Sequence, residues 1–487
     1  MAFLLFPTQL FPKLSHLQTE SIKQIYLIEE PRYFTDFKYH KLKLAYHRAS
    51  MKKYYDNLVK KKLKVKYVDY NKVNNEFYQS IKSEHDIINI IFVSDHDLEN
   101  KLKKIFGTKL IIHENINMLI KSNELELIKK LIYKNKKYSH EEFYKYQRIK
   151  LDILVKSKKP IGGKWSYDTE NRLPLPKDHK VPSIGKIINN KYIKEAKEYI
   201  NKNFNKNYGS LDNFIYPIDS KSANKWLDKF LKQRLNNFGP YEDAVSLSEP
   251  FIYHSVLSPM MNIGLITDEI IVNKSYKYYL KYKVNIKSFE GFIRQIIGWR
   301  NYVYTLYLLE GDNLYESNQL KHHNKLNDKF WKGTTNMKPI DDLINKIVKY
   351  GYVHHIERLM YLGNFMLLCF IKPNDVYKIF MEWTIDAYDW VMVPNVYGMS
   401  QYASDNMMTR PYFSSSKYIL RMSNYKKNNN WEIIWDALYY NFINKHKVLL
   451  KKNYAIAQQV NNWNNKSNKE QNDIIHIANQ FLKKLQT

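Results

Sequence analysis

Residues 86–93 read Asp-Ile-Ile-Asn-Ile-Ile-Phe-Val, an almost unbroken apolar run broken by one amide. Eight residues suit a strand better than a helix. A strand that is apolar at nearly every position is buried on both faces, as in the interior of a parallel sheet covered by helices. Outward from this run the same signal recurs at 2–6, 24–28, 64–67 and 109–112, and residues 41–58 have helical spacing between two of these runs. The pattern predicts a doubly wound, Rossmann-like α/β domain over residues 1–133. Ligands of such sheets lie outside the carboxyl ends of the strands, which directs attention to Pro7-Thr8-Gln9 and Glu29-Glu30.

Beyond residue 134 the alternation fades. Pro160, Gly162, Gly163, Pro174, Pro176 and Pro182 punctuate an extended linker that runs to residue 222. Residues 223–487 read as an all-helical domain, with amphipathic segments at 226–238, 289–308, 340–368 and 373–390, and with Asn-rich loops at 426–430 and 461–465. Hydrophobic residues make up 44% of the 487 and aromatic residues 15%, enough for true cores, so wholesale disorder is excluded. The net charge of +29 has two readings: a polyanionic partner such as nucleic acid, or the Lys and Asn bias of an AT-rich genome. The single cysteine, Cys369, sits in an apolar run and excludes an internal disulfide and a cysteine-ligated metal cluster; no metal site is expected. No apolar stretch is long enough to span a bilayer, and a soluble, intracellular monomer is expected.

Seven blocks then occur in a set order: GGKWSYDTENR at 162–172, RLNNFGPYEDA at 234–244, SVLSPMMN at 255–262, GFIRQIIGWR at 291–300, HHIERLM at 354–360, GNF at 363–365 and DAYDWVMVPNVYGM at 386–399. Together they resemble the cryptochrome/photolyase superfamily, in its branch of iron–sulfur bacterial cryptochromes and (6-4) photolyases. The resemblance implies an antenna-type N-terminal domain and a helical domain binding FAD in a bent conformation. It also implies light-driven electron transfer, with UV-damaged DNA as the partner.

Carried over by position, Ser255 and Ser258 contact the flavin diphosphate. Arg294, Gln295 and Trp299 line the flavin helix, and Asn395 faces flavin N5. Apart from the resemblance, Gly298-Trp299-Arg300 reads as a helix-packing contact and Asn395 as a turn residue. A diphosphate needs hydroxyl and cationic donors, and a neutral amide can serve either redox state of N5. His355 is implied as proton donor with His354 beside it, the two pointing about 100° apart on one helix. Imidazole suits that role because its pKa lies near ambient pH. Tyr412, Tyr418, Met399 and Asp168 match the lesion pocket, and Arg172 is a candidate phosphate contact.

The chain also departs from the pattern. Asn301 stands where Glu is usual. Pro339, Lys426 and Asn429 stand where relatives carry cluster cysteines, so no iron–sulfur cluster is expected. Ile379 replaces the Trp nearest the flavin and is followed by Phe380, leaving Trp331, Trp383 and Trp390 as electron-transfer candidates. For a 6,7-dimethyl-8-ribityllumazine antenna Gln9 and Glu29 match, but Thr8 replaces an acid, which leaves antenna binding open. The reading is a deoxyribodipyrimidine photolyase-type lyase favouring the (6-4) lesion. The alternatives are an FAD-binding blue-light photoreceptor without repair activity and a basic helical nucleic-acid binder without cofactor.

Overall fold

The five apolar runs become five strands in one parallel sheet, β1 (Ala2–Leu5), β2 (Gln24–Ile28), β3 (Val65–Val68), β4 (Ile88–Ile91) and β5 (Leu110–His113), ordered β3-β2-β1-β4-β5. In this computed structural model, which describes residues 1–12, 22–427 and 430–486, every residue of β1 and β4 is buried. Their unbroken apolarity follows from having helices on both sides. The edge strand β3, VKYV, turns Lys66 to solvent, which blunts an open edge. The helices between strands are α1 (Lys41–Lys60), α2 (Asn75–Glu84) and α3 (His96–Phe106). Asn74 caps α2 by accepting from Phe77 N at 2.8 Å, and Asp95 caps α3 by accepting from Leu98 N at 3.0 Å.

The stretch expected as an extended linker contains two helices, His140–Lys150 and Lys191–Asn203. The second packs along α1, and its Glu195 accepts from Arg48 at 2.6 Å. The first ends in Arg148, fully buried, whose guanidinium donates to the carbonyls of Ile153, Leu154 and Trp165 and so replaces regular backbone pairing in the turn that follows. Residues 171–190 are the part that stays irregular.

The helical half departs from the expected segments at their ends. Residues 340–368 are not one helix: Lys338–Tyr350 stops at Gly351, whose φ of +58° suits a residue without Cβ, and helix resumes only at His355. Residues 373–390 likewise divide into Pro373–Trp383 and Asp389–Val393, with Asp386 in the loop between. The segment 461–465, expected as a solvated loop, is the last turn of the helix Tyr454–Asn464 and buries Trp463. Cys369 is a free, buried thiol, its pKa pushed up by burial. No helix among the described residues is long and apolar enough to cross a membrane.

Candidate functional site: a cavity walled by three widened helical turns

Three helices of the C-terminal half each contain one π-helical turn, Arg294–Arg300, Glu357–Gly363 and Pro394–Ser400. A π turn inserts one residue into an α-helix, costs hydrogen-bond geometry, and is found mostly where a functional side chain must be displaced from the regular spiral. All three face one space. Two lobes of about 1040 and 740 Å³ share Ser258, Trp299, His355, Arg358 and Asp386 in their walls.

The polar groups in the wall are fixed by one another. Arg358 reaches both oxygens of Asp386 at 2.9 and 3.1 Å, and the same carboxylate accepts from Ser258 Oγ at 2.5 Å. Arg300 donates to Asp268 at 2.8 Å and to Asn262 at 2.5 Å, and its guanidinium stacks on Trp390, 4.7 Å from the ring centroid. Its remaining nitrogen, Nη2, is buried beside the cavity with no protein partner. Trp299 Nε1 donates to Asn395 Oδ1 at 3.1 Å while Asn395 Nδ2 donates to Val391 O at 2.7 Å, so the amide is held from both ends at the cavity wall.

The two histidines have opposite fates. His354 precedes the helix rather than lying on it. It is 1% exposed, stacks on His254 with centroids 4.1 Å apart at 11°, and neither ring nitrogen finds a hydrogen bond. Burial, with the Lys346 charge adding to it, pushes its pKa well down. His355, the first helical residue, is open to the cavity yet enclosed by protein around it. Enclosure first and the Arg358 charge second lower its pKa to about 4, which favours the neutral imidazole near pH 7.

The sequence-derived residues divide between three places. Ser255, Ser258, Gln295, Trp299, Trp390, Asn395, Met399 and His355 line the cavity. Arg294 does not. It is drawn away by three carboxylates, Asp168 at 3.1 Å, Glu290 at 3.3 Å and Glu242 at 3.4 Å. Asp168 in turn holds Arg172 at 2.5 Å, and Tyr418 approaches Asp243 at 3.5 Å, so these residues form a charged corner beside the cavity rather than its wall. Tyr412 lines a separate pocket of about 420 Å³. The packing reading of Gly298 also holds: a Cβ there would lie 3.0 Å from Tyr144 and 3.3 Å from His140.

Among the redox candidates only Trp390 touches the cavity. Trp383 is fully buried behind Phe380, which lines it, with the two rings edge-on at 6.4 Å; on its other side Trp383 stacks on Tyr208 at 6.4 Å. Trp331 is half-buried beside Glu382. Ile379 is fully buried. Asn301 bonds Asp268 and accepts from Leu119 N at 2.9 Å, a structural tie to the N-terminal half. Pro339 opens a helix, Lys426 is exposed, and Asn429 lies outside the described residues.

Between the two halves lies a smaller cavity of about 350 Å³, lined by Thr8, Gln9, Ser94, Asp95, Asn262 and Asp389 among others. Gln9 lines this cavity, but its amide is held by the backbone, donating to Ile91 O at 2.8 Å and accepting from Phe6 N at 3.2 Å. Glu29 does not line it: it is fully buried and answered by Arg48 at 2.8 Å, Tyr67 at 2.6 Å and Tyr70 N at 3.2 Å. Sequence reasoning also passed over Arg358, Asp386, Tyr352 and Glu242. Arg358, Asp386 and Glu242 stood inside the matched blocks, but their pairings bridge residues 28 to 128 positions apart, which no local spacing reveals.

A family described as "Deoxyribodipyrimidine photo-lyase-related protein" matches residues 3–216. A (6-4) photolyase of Agrobacterium fabrum is 34% identical over 360 residues, spanning 72% of this chain and 71% of that protein. The fold is similar to that of a bacterial class III photolyase from Agrobacterium tumefaciens, with a TM-score of 0.58 at 15% identity over 99% of this chain and 98% of the other. It is also similar to an archaeal photolyase from Sulfolobus tokodaii whose structure holds two FAD molecules, with a TM-score of 0.51 at 12% identity over 95% and 98%. With identity of that level sustained across most of both sequences, and the same two-part architecture, the chain belongs to the cryptochrome/photolyase superfamily.

Proposed function

We propose that this protein is a light-driven DNA-repair flavoenzyme that reverses pyrimidine (6-4) photoproducts, with FAD held in the helical-domain cavity and His355 as proton donor. The observation that carries this reading is the large cavity with an open imidazole, a clamped amide and an unanswered guanidinium nitrogen in its wall. An apolar bundle of this size packed for stability alone would not leave that space.

The residues present fit the cofactor. Arg300 Nη2, with the hydroxyl of Ser255, supplies donors for a diphosphate, while the Ser258 proton is taken by Asp386, and Trp299 and Trp390 offer flat apolar walls. When bound, the flavin supplies a photoexcited one-electron donor. The chain's own part is to orient and to move a proton. Asn395, held by Trp299 and Val391, keeps a neutral hydrogen-bonding edge in place, and the Arg358–Asp386 pair holds Ser258. Enclosure and Arg358 hold the His355 pKa down, but a dinucleotide and DNA phosphates bring negative charge that favours imidazolium, the form able to donate.

The test is illumination of purified protein with (6-4)-damaged and cyclobutane-damaged oligonucleotides beside His355→Ala. Repair of the (6-4) lesion by the wild type, lost in the variant, supports the reading. A yellow protein that repairs neither lesion points to the photoreceptor alternative, and a colourless one to a cofactor-free nucleic-acid binder.

A further inference from the structure

A second pocket adjoins the charged corner. It measures about 420 Å³ and is walled by Tyr412, Phe413 and Tyr439, floored by Ile456 and Met360, and edged by Arg410 and Gln459. It adjoins a neighbouring face of the 355–368 helical segment, since Met360 lines it while Leu359, the residue before, lines the larger cavity. Its aromatic walls are already paired, Phe413 with Tyr439 at 5.4 Å and Arg410 over Tyr412 at 6.0 Å. Within it Gln459 Oε1 is buried and accepts no hydrogen bond.

The rim is cationic and unneutralised. Arg410, Lys451 and Lys452 are exposed and no ion pair joins any of them to a carboxylate among the described residues. The tip between the helices Trp431–Lys451 and Tyr454–Asn464 is tied to the loop bearing Arg410 by Asn453 Nδ2, which donates to Thr409 O at 2.5 Å. At that tip Tyr454 is 99% exposed. A ring left in water beside two lysines is the combination that stacks on a base while its neighbours grip phosphate. Tyr412 is also near enough to Asp168 and Arg172 to feel their charges, which places the pocket next to the corner where the lesion strand is expected.

We infer that this pocket receives an unpaired purine of the strand opposite the lesion. The inference rests on the repair reading above. Drawing a dipyrimidine out of a duplex leaves its two partner bases unpaired, and those partners are purines. A purine needs flat aromatic walls, and its exocyclic amine needs an acceptor, which Gln459 Oε1 provides at no cost to existing bonds. The cations at the rim meet the phosphate on either side of the extruded nucleotide.

The test uses the protein as purified and a (6-4)-containing duplex with 2-aminopurine placed in turn at each position opposite and flanking the lesion. The expected result is strong quenching on binding at one position of the opposite strand. Gln459→Met, which keeps the volume and removes the acceptor, and Tyr439→Leu each abolish that quench and weaken binding about 10-fold, near the loss of one stacked or hydrogen-bonded base. Light-driven repair at saturating DNA stays at the wild-type level in both. The inference is overturned if no opposite-strand position is quenched, or if the quench survives in both variants with unchanged affinity. Wild-type protein that quenches at one position without repairing DNA upholds the pocket and sinks the repair reading, so the two failures are separable.

Discussion

The cavity between the two halves and the cavity inside the helical half both leave polar atoms without partners, but in the first these are the neutral Thr8 Oγ1 and Asn117 Oδ1, whereas the second leaves a guanidinium nitrogen unanswered and an imidazole open. Around the first, charge is answered by protein. Asp389 accepts from Tyr307 and Tyr377 at 2.5 Å and also from Tyr315, and Arg32 binds Asp95 at 2.8 Å. Glu29, at the end of the neighbouring strand, has three partners of its own. In the second, Arg300 Nη2 has no partner and His355 faces open space. A buried polar group left unmade costs about 1–3 kcal/mol, and more when the group is charged, so the unanswered guanidinium nitrogen is the costlier of the two reserves. The rule that ligands sit at the carboxyl ends of strands leads to the smaller cavity; the three π turns lead to the larger one.

The comparison breaks first at His355. His355→Ala is expected to lower (6-4) repair by roughly 100- to 10,000-fold, the range for removing a general acid, with flavin content and the unfolding midpoint unchanged. A variant that repairs normally would reduce the open imidazole to a wall residue. Asp386→Asn comes next. It leaves Arg358 without its carboxylate, which costs about 3–5 kcal/mol for a mostly buried pair, and it frees Ser258, so flavin should be lost on gel filtration as urea stability falls.

Glu29→Gln sharpens the contrast from the other side. Arg48 keeps Asp69 and Glu195, so the cost is about 2 kcal/mol, the worth of a hydrogen bond to a charged group, read as urea stability with flavin content and repair unaffected. The smallest effect is a change of slope. Burial raises the pKa of Glu242, which lines the larger cavity, to about 7, with Arg294 opposing and Asp243 adding. Folding thus favours the protonated acid: that stabilisation is complete below about pH 4.5 and is lost as pH rises through about 7. Glu242→Gln should lack this decline, seen as a flatter stability profile between pH 4.5 and 8. An identical slope in both proteins would show that Glu242 is ionised throughout.

How much of this was legible depends on the range of the interaction. Strand β4 was readable because burial on both faces writes itself into consecutive residues, and the cavity serines, Trp299, Asn395 and His355 were readable because they stand in conserved-order motifs of a known superfamily. The position of Arg294 was not, since Asp168 and Glu242 from distant segments compete for it alongside Glu290, one turn back on its own helix. Nor was the loss of Glu29 to Arg48, or the end of the helix at Gly351, where left-handed backbone stops a pattern whose apolar spacing continues.

The amino-acid sequence alone determined the two-part architecture, the superfamily and which side chains could do the chemistry, because burial periodicity and side-chain type are local properties. Only the tertiary structure decided which of them face a ligand. The three π turns that swing Trp299, Arg358 and Asn395 inward, and the ion pairs that withdraw Arg294 and Glu29, depend on contacts between segments far apart in the chain.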